Sequence, residues 1–170
     1  MTEELIDGVG SVSIRTIDDS YPRPESHSIY DDWGDFAPEA KAIPMSRWLI
    51  ELTKVDGEIV AVGDLSAHAV WYGATLGSRA INIGIRLVES YRGIGIGTVS
   101  QRLLAEELHG QGIVRVEAGT DVTNVAEQRS LEKAGFVYEG TARRAQSRSD
   151  GLHDLQVWAH IQDVSETPSK

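Results

Sequence analysis

Cysteine is absent from all 170 residues, which excludes a disulfide framework, a thiolate metal site and a thiol nucleophile. The five histidines are scattered and never recur at ligand spacing, so no metal is expected. Apolar runs fall far short of a membrane span. The acidic stretch Met1–Asp7 lacks the basic-then-apolar layout of a signal peptide, so a cytoplasmic protein with no membrane partner is expected. Positive charge is scarce. With 16 Lys plus Arg against 26 Asp plus Glu, the formal net charge is −10, which argues against general binding to nucleic acid. Any anionic ligand must therefore be held by local amides and arginines.

What is present fits one domain, assigned here to residues 1–164, followed by a loose polar tail over 165–170. Val9–Ile17 alternates as a first strand. From Asp18 to Lys41, Pro22, Pro24 and Pro38 forbid a long helix, although a short one fits over Ser28–Phe36. There Tyr30, Trp33 and Phe36 fall at helical spacing beside Asp31, Asp32 and Asp35, a composition that could line a substrate mouth. Met45–Lys54 and Glu58–Ala67 flank Val55-Asp56-Gly57, a strong hairpin signal. Strand patterning returns over Val70–Leu76, Ala80–Val88 and Ile113–Thr120. Phe136–Ala145 and Leu152–Ile161 form a closing pair around Asp150-Gly151. Helical stripes run from Gly97 to Leu108 and over Asn124–Ala134, closed by Gly110, Gly112 and Gly135. The order implies an α+β fold, with a mixed and mostly antiparallel sheet of about six or seven strands flanked by helices.

The switch from period two to period 3.6 falls on Tyr91-Arg92-Gly93-Ile94-Gly95-Ile96-Gly97-Thr98. Alternate glycines at a helix start expose unpaired backbone N–H groups, which suit phosphate. Two nucleotide motifs fail on spacing. The sixth place counted from Gly93 is Thr98 and from Gly95 is Ser100, so the dinucleotide fingerprint is not met. No lysine lies between Lys54 and Lys133, which excludes the phosphate loop of nucleotide hydrolases.

Arg92-Gly93-Ile94-Gly95-Ile96-Gly97 does match Arg-x-x-Gly-x-Gly, and Asn124 precedes Glu132-Lys133-Ala134-Gly135-Phe136. These two motifs, spanning roughly Ile81–Arg144, resemble the GCN5-related N-acetyltransferase superfamily, in the branch similar to the ribosomal-protein N-terminal acetyltransferases. The resemblance implies that acetyl-coenzyme A is the co-substrate and an amine the acceptor, on a protein or peptide N-terminus or a small molecule. It places Ile85, Arg86 and Leu87 on the strand that pairs with the pantetheine arm. Arg92, Gly93, Ile94, Gly95, Ile96, Gly97 and Thr98 fall on the pyrophosphate loop. Asn124 takes the place of a coenzyme contact, and serves equally well as a helix cap.

The catalytic side departs from the superfamily. The usual tyrosine position, seven after Asn124, is Leu131, and the branch's serine position, three after it, is Glu127. Ser130 shares nearly the same helix face as Glu127, so either could face the thiol; solvent exposure is the plainer expectation for both. As bases, Glu117 on the strand after the first helix and Asp64 or His68 on the earlier hairpin are candidates. His153 beside Asp154 reads as a loop pair. Trp71 and Tyr72 could cover the substrate groove, with sheet packing or a homodimer contact as the simpler role. The alternative function is a non-catalytic acyl-coenzyme A-binding sensor.

Overall fold

In the computed structural model, which describes residues 3–33 and 43–162, the alternating segments pair into one eight-stranded sheet. The strands are β1 Glu3–Ile6, β2 Gly10–Ile17, β3 Ser46–Lys54, β4 Ile59–Trp71, β5 Arg79–Leu87, β6 Arg115–Asp121, β7 Val137–Arg148 and β8 Gly151–Ile161. Their order across the sheet is β1-β2-β3-β4-β5-β6-β8-β7, antiparallel throughout except for β5 with β6. Two helices, α1 Ile96–Gly110 and α2 Val125–Lys133, follow β5 and β6. The α+β class and mixed sheet are as expected, but the strand count is higher than six or seven.

The additional strand is β1. Its Glu3 and Glu4 hide the pattern, yet Leu5 and Ile6 continue a ladder onto Ser11 and Gly10 of β2. The Val70–Leu76 run also resolves differently: β4 simply extends to Trp71, and a 3-10 turn at Leu76–Ser78 leads into β5. Between Asp18 and Trp33 the expected helix is reduced to one 3-10 turn, Ile29–Asp31, and the remainder of the Ser28–Phe36 expectation lies outside the described residues.

Both helices end by the same device. Phe136 N–H bonds to Leu131 O at 3.0 Å and Gly135 N–H to Glu132 O at 3.1 Å, with Gly135 at φ 94°. Ile113 and Gly112 repeat this on Leu108 and His109 at the end of α1. These are Schellman closures, and each returns an apolar residue, Phe136 or Ile113, to the core.

One core lies between the helices and one face of the sheet. Ile96, Val99, Leu103, Leu104 and Leu108 of α1 bury against Ile14, Trp48, Ile50, Leu65, Ile83 and Val116. The opposite face carries a buried polar centre instead. Arg47 and Asp64 are both buried at 3.6 Å, and Arg47 Nη1 donates to Tyr21 O at 3.2 Å, tying the Asp18–Trp33 segment across that face. Among the described residues no helix is long and apolar enough to cross a membrane.

Candidate functional site

The site begins where the parallel pair comes apart. β5 and β6 are in register only over Ile81, Asn82 and Ile83 against Val116, Glu117 and Ala118, and beyond those residues they splay. Val88 N–H bonds to Val62 O at 2.9 Å on the β4 side. Because backbone direction alternates along a strand, Ile85 and Leu87 turn their N–H and C=O groups away from β4, into the notch. The Leu87 C=O there already accepts from Ser26 Oγ at 2.9 Å and Arg92 Nε at 3.0 Å, so an extended ligand can pair as a further strand would with the Ile85 backbone and the Leu87 N–H.

The notch deepens into a cleft of about 700 Å³. Ile85, Arg86 and Leu87 line it, together with Arg92, Gly93, Gly95, Gly97 and Thr98 of the glycine stretch and Asn124, Glu127 and Ser130 of α2. Ile94 lies beside it, half exposed at the surface, whereas Ile96 is fully buried in the core and anchors the start of α1. Gly95 caps α1 in the left-handed region at φ 94°, and the first helical bond runs from Val99 N–H to Gly95 O at 3.1 Å. The N–H groups of Ile96, Gly97 and Thr98 thus precede the ladder, at the positive end of the helix dipole. Arg129 and Lys133 add two cations to the same wall. Sequence reasoning passed over them, although Ala126, Arg129, Ser130 and Lys133 fall at one-face helical spacing.

A polar chain joins the two helices across the cleft floor. Thr98 Oγ1 and Ser130 Oγ lie 3.2 Å apart, Ser130 Oγ donates to Gln101 Oε1 at 3.0 Å, and Gln101 Nε2 donates to Glu127 Oε1. Burial pushes the Glu127 carboxyl up to about 7, with the Gln101 bond pulling the other way. Ser130 sits immediately behind the glycine stretch, since a Cβ on Gly97 would lie 3.3 Å from its Oγ. Both residues are part-exposed on the cleft wall, between the full exposure expected of polar side chains on a helix and burial. Leu131, by contrast, is fully buried in the core.

Asn124 caps α2, its Oδ1 accepting from Glu127 N–H at 3.2 Å, while it also faces the cleft. Asn124→Ala should therefore cost about 1 kcal/mol of stability in urea unfolding, and Asn124→Asp should retain most of it. A smaller loss for the alanine variant would argue that the cap contributes little.

The other sequence candidates are placed elsewhere. Glu117 is buried on the face away from the helices, opposite Asn82 where β5 and β6 are still paired, so it stands outside the cleft. Its Oε1 accepts from Tyr72 OH at 2.6 Å and from Arg115, which also pairs with Glu139. The Glu117 bond raises the Tyr72 phenol above its ordinary pKa. Asp64 is held between Arg47 and Arg86, the latter at 3.4 Å, and His68 is in register with Asn82. His153 bonds to Asp121 Oδ2 at 2.8 Å and Asp150 Oδ1 at 2.7 Å, while Asp154 accepts Arg144 N–H, which corrects the His153–Asp154 pairing.

Across the notch from the helices, Ser26, Ser28, Tyr30 and Asp31 close the cleft. Burial holds the Asp31 carboxyl above its ordinary value, against the opposing charges of Arg86, Arg92 and Arg148. Trp33 stays exposed, and Phe36 lies outside the described residues.

A family model described as an acetyltransferase (GNAT) domain matches residues 9–137. Among curated proteins, the probable N-acetyltransferase YjcK of Bacillus subtilis (strain 168) is 38% identical over 78 residues, 45% of this chain and 43% of that protein. Among solved structures, Mycobacterium smegmatis RimJ in complex with CoA-disulfide aligns at a TM-score of 0.59 and 28% identity, over 74% of this chain and 56% of that one. RimL, a ribosomal L7/L12 alpha-N-protein acetyltransferase in complex with coenzyme A, aligns at 0.57 and 28%, over 70% and 63% respectively. The chain thus covers between 43% and 63% of these relatives' own lengths.

Proposed function

The chain belongs to the acetyltransferase (GNAT) family, and from that membership we propose that it is an N-acetyltransferase moving acetyl from acetyl-coenzyme A directly to a primary amine. The observation that carries this reading is the notch: a β5 edge unpaired with β6 beyond Ile83, a glycine stretch at a helix start and two α2 cations line one cleft. In this reading the Ile85 backbone and the Leu87 N–H hold the pantetheine arm, and the amides of Gly93–Thr98 receive the pyrophosphate. Arg129 and Lys133 offset the remaining phosphate charge, which the acidic chain as a whole would repel. A cysteine-free composition suits a cytoplasmic setting.

When bound, acetyl-coenzyme A supplies a thioester whose carbonyl carbon accepts the amine nitrogen. The N–C bond forms, the C–S bond breaks, the amine nitrogen gives up one proton to solvent, and the departing thiolate takes one from a protein acid that solvent then reprotonates. A backbone N–H of the Ile85–Leu87 edge stabilises the oxyanion. Glu127 supplies the thiolate's proton, because it lines the cleft and is half protonated near neutral pH. Ser130, hard against Gly97, belongs to the phosphate end of the same polar chain. Glu117, in its Tyr72–Arg115 network outside the cleft, ties β6 to the end of β4.

Mixing the protein with acetyl-coenzyme A and a panel of amines, with free thiol followed over time, tests the proposal. Thiol release that depends on one class of amine is the expected result. Coenzyme binding without release for any amine would leave an acyl-coenzyme A-binding module instead.

A further inference from the structure

Arg92 opens the glycine stretch, but its side chain turns away from it. Nε donates to Leu87 O at 3.0 Å, and Nη2 donates to Ser26 Oγ at 2.9 Å and to His27 O at 2.8 Å. Ser26 Oγ in turn donates to the same Leu87 O at 2.9 Å. One guanidinium therefore ties the end of β5 to a segment more than sixty residues earlier in the chain, through a rigid fork of charged donors.

The tie has a consequence two residues on. Ser28 caps the 3-10 turn Ile29–Asp31, its Oγ accepting Tyr30 N–H at 3.2 Å and its C=O accepting Asp31 N–H at 3.1 Å. That turn presents Tyr30 and Asp31 to the cleft. Its far side is pinned independently, with Ser149 N–H donating to Asp32 O at 3.1 Å and Ser149 Oγ to Asp32 Oδ2 at 2.6 Å. Tyr30 is fastened as well, its OH donating to Thr123 O at 3.3 Å and Arg148 lying over its ring at 5.5 Å, so Asp31 hangs between these contacts on one side and the Arg92 fork on the other.

We propose that Arg92 is a positioning residue for the amine acceptor: it latches the Ser26–Asp31 segment to β5 so that the Asp31 carboxylate meets the acceptor's ammonium group at the cleft mouth. The idea rests on the acetyltransferase reading for the acceptor, but the latch stands on its own hydrogen bonds. Without the fork the Ser26–Leu87 and Tyr30–Thr123 bonds remain, but the segment loses the charged donors that hold Ser26 and His27 against β5, and a short turn with so few internal bonds then opens more readily.

The test compares Arg92→Ala, Arg92→Lys and Asp31→Asn in the full chain. Arg92→Ala is expected to raise the KM for the amine at least tenfold while the coenzyme Kd, from calorimetry, moves less than threefold. Asp31→Asn should raise the same KM by a similar factor, and the double variant should be little worse than either single one, because Arg92 acts through Asp31. Lysine cannot reproduce the fork and should rescue only part of the loss. Hydrogen exchange gives a readout apart from activity: the Tyr30 and Asp31 amides should exchange faster in Arg92→Ala and unchanged in Asp31→Asn. A coenzyme Kd weakened tenfold with unchanged exchange at Tyr30 and Asp31 would overturn the latch and make Arg92 a coenzyme ligand. Lack of turnover in the unaltered protein would overturn the acetyltransferase reading and Asp31's role with it, while the exchange rates would still decide the latch.

Discussion

Replacing Glu127 by Gln is expected to lower kcat about a hundredfold, the lower end of what a positioned general acid contributes, with coenzyme affinity within twofold of the unaltered protein. The substitution keeps an oxygen for the Gln101 Nε2 donor, so the contact between α1 and α2 survives and only the titrating group is removed. In the unaltered protein kcat should fall as pH rises through about 7, where the buried carboxyl loses its proton. The variant should lack that limb. Stability supplies a second readout with a definite sign. The folded carboxyl titrates well above its ordinary value of 4.5, so it favours the folded state below pH 4.5, and this contribution is lost as pH rises through about 7. Glu127→Gln should therefore stabilise the protein at pH 8 by up to about 3 kcal/mol and change little at pH 4. An unaltered rate and pH profile would place the proton donor on another residue.

That Glu127 could be named from sequence, but not ranked, has a physical cause. Amphipathic periodicity identifies the apolar stripe of α1, and it marked Val99, Leu103, Leu104 and Leu108 correctly as core. It has no means of seeing that a polar residue off the stripe, Gln101, is also buried because a glutamate from another helix meets it there. Burial of polar groups in pairs is a tertiary fact. The glycine stretch and the Asn124 cap were legible for the opposite reason, since their geometry is set within a few residues by turn and helix-end chemistry. Asp31 shows the limit again. Its segment owes its position to Leu87, Arg92 and Ser149, contacts spread over more than a hundred residues of chain. Local composition suggested a substrate mouth and a short helix, and the long-range anchors left one 3-10 turn. The acidic first strand was missed because an edge strand has one exposed face and few apolar residues to announce it.

The second large effect belongs to the glycine stretch, where Gly95→Val should weaken coenzyme binding at least tenfold, or about 1.4 kcal/mol. Space is not the obstacle, for a Cβ at Gly95 would meet only Ile6 side-chain atoms at 3.7 and 3.8 Å. The obstacle is conformation. At φ 94° and ψ −14° a β-branched residue is strained by about 1–3 kcal/mol, and the chain relieves this by rotating the cap out of the left-handed region. That rotation swings the amides at the start of α1 away from their common focus, and with them the binding site for an anion. Gly97 makes the complementary case. It has no positive φ, and its Cβ would press on Ser130 Oγ at 3.3 Å and Leu87 Cδ1 at 3.5 Å. Gly97→Ala should therefore act through crowding, leaving the cap intact and reducing affinity less than Gly95→Val does. Calorimetry on both variants separates the two causes, with coenzyme-free thermal unfolding recorded alongside to measure strain without ligand. If Gly95→Val binds coenzyme A as tightly as the unaltered protein, the left-handed cap is only a turn, and the phosphate site must be sought elsewhere along the cleft.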